Sequence, residues 1–363
     1  MPVIVKQLTE RRVFHTLDAL RGIAAIGVVI FHMGGVFPIF AVSGGYLAVD
    51  LFFMMSGVVL CQAYDHRLAG GMSALEFMKL RLIRLFPLYL LGLALGIAAT
   101  LASMSGRNSL GWSASSLVQS ALLALFFLPN LSGKPIHQLF PLNIPCWSLF
   151  LELLVNLLFA VLWRLTLRSM IVISVVAGVG LAVAALHFGT MDLGSTPSTL
   201  TAGAVRTVFG FSTGVVIGRL IGGRRRFRSS LIALIVIAVF CAAISLSPGA
   251  ARRPITDLAC VLLIFPLLVW LATLIDPGTT WQKASTFLGL TSYAVYVLHT
   301  PLLAVLSSLA RVHGAGVGLA WLGVAFLMLL LAVSWLIDSY YDAPVRRYLS
   351  RRLARATGAA ARS

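Results

Sequence analysis

Apolar runs of about 20 residues recur along the chain, separated by short polar or basic stretches. A hydrocarbon core about 30 Å thick is crossed by roughly 20 apolar residues in helical form. Runs at 18–37, 45–64, 83–104, 147–165, 169–188, 202–222, 230–248, 255–275, 286–309 and 317–341 therefore predict ten spans. An eleventh run, 117–128, has twelve residues and ends before Pro129, which suits a re-entrant or interfacial piece. The fold class is all-α, a polytopic membrane bundle. Residues 1–345 read as one membrane domain and 346–363 as a basic, solvated tail.

Composition agrees: 59% of the 363 residues are hydrophobic and 11% charged, with a mean hydropathy of +0.97. A net charge of +17 would point to nucleic acid in a soluble protein. Here the basic residues flank apolar runs, so membrane orientation explains them. With ten spans and a cytoplasmic N-terminus, Arg67, Lys79, Arg81, Arg84, Arg164, Arg168, the Arg224 to Arg228 cluster and the tail all face the cytoplasm. Both termini are then inside. Arg107, Lys134, Arg252, Arg253 and Arg311 would face outward. Lys6, Arg11 and Arg12 precede the first run as in a signal peptide, but no small-residue cleavage site follows, and we read a retained span. Cys61, Cys146, Cys241 and Cys260 have neither metal-ligand spacing nor a disulfide pattern. Gly210, Gly214, Gly218 and Gly222 lay a bare stripe along the sixth span, where another helix can approach closely.

Polar groups inside such runs are costly and mark function. The first run, LDALRGIAAIGVVIFHMGGVFP, carries Arg21 and, eleven residues on, His32. In a helix this step spans roughly 16 Å, so the two mark two depths. His32 is suited to general base work near neutral pH. Asp50 and Glu152 open other runs, and the predicted topology brings all three to one depth on the outer side. A structural ion pair between helices is the simpler alternative. Lys79, Arg81 and Arg84 precede the third span. Arg81 and Arg84, three apart on one helix, can present their planar forks to phosphate together with Arg21. An orienting collar is again the simpler alternative. A donor with cytoplasmic phosphates and a long flexible arm, such as acyl-coenzyme A, would reach from these arginines to His32.

These residues resemble the integral-membrane acyltransferase family 3 along essentially the whole chain. Arg21 and His32 match its first-span motif; Asp50, Leu51, Phe52, Phe53, Ser56 and Gly57 match its second. Arg81 and Arg84 with Leu85, Pro87, Leu88 and Tyr89 match its arginine motif, and Trp147, Ser148, Leu149 and Glu152 a fourth. Gly289, Ser292, Tyr293, Tyr296, Leu298 and His299 match the last. Where members often carry a Glu two residues before a Pro, this chain has Asp342 before Pro344.

The resemblance implies transfer of an acyl group, usually acetyl, from coenzyme A to a hydroxyl of a surface polysaccharide, lipid-linked glycan or glycoside, at a bacterial inner (plasma) membrane and without a metal. It implies His32 as base or transient acyl carrier, with Glu152 and Asp50 as supporting groups. Arg21, Arg81 and Arg84 would hold the donor phosphates, and Trp147, Tyr293 and His299 would line the substrate site. The soluble esterase-like domain of some members is not expected here. A transporter of lipid-linked sugars or small amphiphiles is the alternative that ten spans with buried ionisable groups also allow.

Overall fold

The computed structural model describes residues 13–360 apart from 41, 105–110, 223–225 and 314–318. Lys6, Arg11, Arg12, Arg107, Arg224 and Arg225, which carried part of the charge argument, lie outside the described residues. The elements are α1 (His15–Met33), α2 (Ala48–Ala69), α3 (Ala74–Met104), α4 (Ala114–Leu125), α5 (Cys146–Val161), α6 (Leu167–Phe188) and α7 (Leu200–Ile221). They continue with β1 (Phe227–Arg228), α8 (Ser230–Ser245), α9 (Arg253–Ala259), α10 (Phe265–Leu274), β2 (Ile275–Asp276), α11 (Thr279–His313), α12 (Leu319–Ile337) and α13 (Ala343–Ala360). The protein is a helical membrane bundle.

Among the described residues eight helices are long and apolar enough to cross a membrane. Two expected spans, 147–165 and 230–248, form the 16-residue helices α5 and α8. At 1.5 Å per residue each rises roughly 24 Å, less than the usual core thickness. The run at 117–128 becomes α4, twelve residues opened by a Ser113–Ser116 capping box. Its outer side shows Val118, Leu122 and Leu125, and the Tyr89 hydroxyl donates to Ala124 O at 2.6 Å. Valines 172, 175, 176, 179 and 183 of α6 are likewise exposed. In water such a face would be a liability; lipid is as apolar as the side chains it meets.

Helix irregularities fall at prolines. Five-residue π-turns, Cys260–Ile264 and Asp338–Asp342, precede Pro266 and Pro344. Proline has no N–H for the carbonyl four residues back. Pro301 inside α11 frees Val297 O in this way, and Asn143 Nδ2 donates to that carbonyl at 2.9 Å. Thr300 Oγ1 donates to Asn143 Oδ1 at 2.7 Å, so the loop before α5 is pinned to α11 beside His299.

Three of the four stripe glycines behave as expected. Gly210, Gly214 and Gly218 face Phe53, Met54 and Cys61 of α2, and a Cβ on Gly214 would overlap the Met54 carbonyl. Gly222 instead ends the helix, with φ of 47° and open space around it. Gly214→Ala is expected to force α2 and α7 apart and destabilise the bundle by about 1–3 kcal/mol. Thermal unfolding in detergent reads this, with Gly222→Ala as a comparison that leaves the α2–α7 contact intact.

Candidate active site

Three sets of polar groups inside the bundle bear on a site. The first is a cleft with a volume of about 180 Å³. It is walled by Arg21 of α1, Phe52 and Ser56 of α2, Arg81 and Arg84 of α3, Ser148 and Glu152 of α5, and Tyr293 and Tyr296 of α11. Helical spacing puts Arg81 and Arg84 on one side of α3, and Glu152 follows Ser148 by one turn of α5.

Each arginine is held by a carboxylate, from outside the cavity for Arg21 and Arg84 and from the cavity wall for Arg81. Arg21 pairs with Asp18 at 3.0 Å and donates to Gly289 O at 3.0 Å. That contact needs α1 and α11 close together, and Gly22 and Gly289 permit it. Arg81 pairs with Glu152 at 3.1 Å, and Glu152 accepts from Ser56 Oγ at 2.8 Å. Arg84 lies 3.8 Å from Asp342 and 5.6 Å from the centre of the Tyr293 ring, whose hydroxyl donates to Leu85 O. The Nε atoms of Arg21 and Arg81 are buried donors without a hydrogen-bond partner among the described residues. Anions with several acceptor oxygens satisfy such donors.

The second set is a histidine pair. His32 closes α1, half-buried, and His299 of α11 is fully buried. Their rings stand 5.0 Å apart, with His299 Nε2 3.3 Å from His32 Nδ1. His299 Nδ1 faces the carbonyls of Tyr296 at 2.7 Å and Val295 at 3.2 Å. Carbonyls only accept, so this nitrogen carries the proton and His299 Nε2 is an acceptor. His32 Nδ1, 2.9 Å from Val28 O, must then donate to Val28 O and His299 Nε2. His32 Nε2 is left with its lone pair free, the form a general base requires.

His32 is not among the cleft-lining residues. Tyr296 stands between: its hydroxyl lies 2.7 Å from Ser148 Oγ on the cleft side, and its ring is 6.0 Å from that of His299. Arginine cleft, tyrosine, histidine pair is thus the order of groups along the bundle.

The third set is a buried clamp that sequence reasoning missed. Arg206 of α7, 1% exposed, grips Asp50, 0% exposed, through Nε at 3.1 Å and Nη2 at 2.6 Å. It also donates to Leu193 O and Tyr46 O and lies over the Trp147 ring at 5.6 Å. Tyr46 donates to Asp257 at 2.6 Å. The signal was present: one arginine inside the apolar run AGAVRTVFG must find a partner.

His32, Asp50 and Glu152, expected to converge on one site, are each paired with a different residue, His299, Arg206 and Arg81. Asp50 has both oxygens taken by Arg206, and Glu152 lines the arginine cleft. Trp147 packs against Gly194 and Gly203 beneath Arg206, and is absent from the cleft wall. Burial is the physical reason: an ionised group away from water settles on an opposite charge within hydrogen-bond reach. Asp192, in the loop after α6, is exposed and interacts electrostatically with His32. Met191 N donates to Asp257, Leu193 O accepts from Arg206, and the Asp192 carboxylate takes no hydrogen bond from any described residue. Among the described residues no group of three His, Cys, Asp or Glu is placed to hold a metal ion.

The described structure is thus a helical membrane bundle with an arginine-walled cleft. The family model described as acyltransferase domain matches residues 14–339, and the chain belongs to that family, acyltransferase family 3. It is a membrane acyltransferase. Protein 2 in the picA locus of Rhizobium radiobacter is 36% identical over 189 residues, covering 48% of this chain and 96% of that protein. O-acetyltransferase OatA of Staphylococcus aureus is 32% identical over 99 residues, 27% of this chain and 16% of OatA. BcsY of Komagataeibacter xylinus, whose name describes a membrane-bound transacylase, is 26% identical over 321 residues, 82% of this chain and 76% of BcsY. No solved structure matches the chain.

Proposed function

We propose that the protein transfers an acyl group, in the first instance acetyl, from acyl-coenzyme A to a hydroxyl of a surface polysaccharide, lipid-linked glycan or glycoside, at the inner membrane of a bacterium. The observation that carries this reading is the cleft: three arginines from two helices, two of them with buried Nε donors unpartnered among the described residues, converge on one cavity. The OatA and BcsY names support an acyl or acetyl group.

In this mechanism Arg21, Arg81 and Arg84 hold the donor phosphates, with Glu152 aligning Arg81 and Tyr293 backing Arg84. The arm passes Tyr296 toward the histidine pair. His32 Nε2 takes the proton of the acceptor hydroxyl as that oxygen attacks the thioester carbonyl. The tetrahedral intermediate collapses with loss of the thiolate, and protonated His32 returns the proton to sulfur. The products are the ester and free coenzyme A, with His32 restored. His299 keeps His32 in the reactive tautomer. Asp50 and Trp147 act through the Arg206 clamp and hold the helices.

Arg81→Gln with Arg84→Gln is expected to weaken coenzyme A binding about tenfold or more, since each charge-assisted hydrogen bond contributes roughly 1.5–3 kcal/mol. Calorimetric titration of detergent-purified protein with coenzyme A measures this. Equal binding by wild type and double variant would remove the arginine cleft as the donor site. Wild-type protein that neither binds acetyl-coenzyme A nor consumes its thioester would leave the transport reading standing.

A further inference from the structure

Beyond the reaction itself, α13 carries a surface that acyl transfer does not use. The helix is amphipathic along its described length. Val345, Leu349 and Leu353, spaced four apart, are half-buried. Arg347, Arg351 and Arg355, also spaced four apart, are exposed on the opposite side with Arg352. At 100° per residue the two rows lie about 200° apart, and the arginine row is roughly 12 Å long. From Ala343 to Ser363 the sequence has no Asp or Glu. The two acids just before it, Asp338 and Asp342, are both paired with Arg346, at 3.0 and 2.7 Å. No carboxylate of the described residues pairs with Arg347, Arg351, Arg352 or Arg355.

A second observation places this row at the membrane surface. Exposed aromatic side chains cluster around the junction of α12 and α13: Trp335 at 47%, Tyr340 at 77% and Tyr348 at 54% exposure. The Arg352 guanidinium lies 4.8 Å from the Tyr348 ring centre. Trp and Tyr collect at the level of lipid headgroups, where one part of the ring is dry and the other wet. The arginine row begins within a turn or two of this belt, and basic segments beside a span attract anionic lipid.

We propose that α13 is an interfacial helix whose Arg347, Arg351, Arg352 and Arg355 bind anionic phospholipid headgroups. Its root is tied to the donor cleft. Arg346 holds Asp342, and Asp342 approaches Arg84 at 3.8 Å. A lipid-anchored α13 therefore steadies the residue that backs one phosphate-binding arginine. The proposal stands whether or not coenzyme A is the donor.

The full chain is placed in nanodiscs of phosphatidylcholine alone or with one-third phosphatidylglycerol, and backbone amide exchange is followed across residues 346–355. Exchange there is expected to slow at least threefold in the anionic discs. About 1 M salt, with a screening length near 3 Å, should abolish the difference. Combined Arg347→Gln, Arg351→Gln, Arg352→Gln and Arg355→Gln should abolish it too, while protection in α1 and α2 stays as in wild type. Equal exchange in both discs overturns the proposal, as does a difference that survives the four substitutions. The second result would assign the effect to the whole bundle.

Discussion

Replacing His32 with alanine is expected to lower acyl transfer by about 10² to 10⁴, the usual contribution of a positioned general base, with coenzyme A binding unchanged. The split follows from the geometry. His32 lies outside the arginine cleft, behind Tyr296 and His299, so its loss removes a proton acceptor without touching the groups that face the cavity. A companion change separates base strength from base orientation. His299→Leu fills much of the same volume but takes away the Nε2 that accepts from His32 Nδ1. Its effect should be smaller than that of His32→Ala and fall on kcat, because Val28 O still holds the same His32 proton. Thioester consumption with titrated acetyl-coenzyme A reads both. Wild-type turnover in His32→Ala would exclude it as the base, and unaltered kcat in His299→Leu would remove the orienting role.

Asp50→Ala is expected to destabilise the fold by about 3–5 kcal/mol, the cost of leaving a buried charge without its partner. Arg206 is 1% exposed and donates two hydrogen bonds to Asp50, its one carboxylate partner among the described residues. Pairing Asp50→Leu with Arg206→Met should recover most of the lost stability, because an apolar pair of similar volume leaves no charge to desolvate. Thermal unfolding in detergent measures all three proteins. If Asp50→Ala unfolds like wild type, the clamp does not hold the bundle, and Asp50 is free for a role in the reaction.

The pattern of apolar runs sufficed for the helical bundle, and the motif residues for the family, because both are local properties. A segment enters a bilayer by its own length and apolarity, with every backbone group satisfied inside its own helix. Even the short run at 117–128 announced a helix too short to span. Arg21, Arg81 and Arg84 could be assigned to one site from their shared position at helix entrances, and the structure brings them into one cleft.

Side-chain partnership was not legible in the same way. Asp50 and Arg206 are separated by 156 residues, Arg81 and Glu152 by 71, and His32 and His299 by 267. A carboxylate at the start of an apolar run declares that it needs a partner, and nothing in its neighbours says which helix will supply one. Helix packing decides that, through contacts such as Gly214 on Met54 and Gly289 on Asp18, which set how near two backbones come. So the sequence alone determined a membrane acyltransferase bundle. Tertiary structure decided that Asp50 pairs with Arg206, Glu152 with Arg81 and His32 with His299, because in a medium without water each buried charge or ring nitrogen must settle on whichever group the packing brings within about 3 Å.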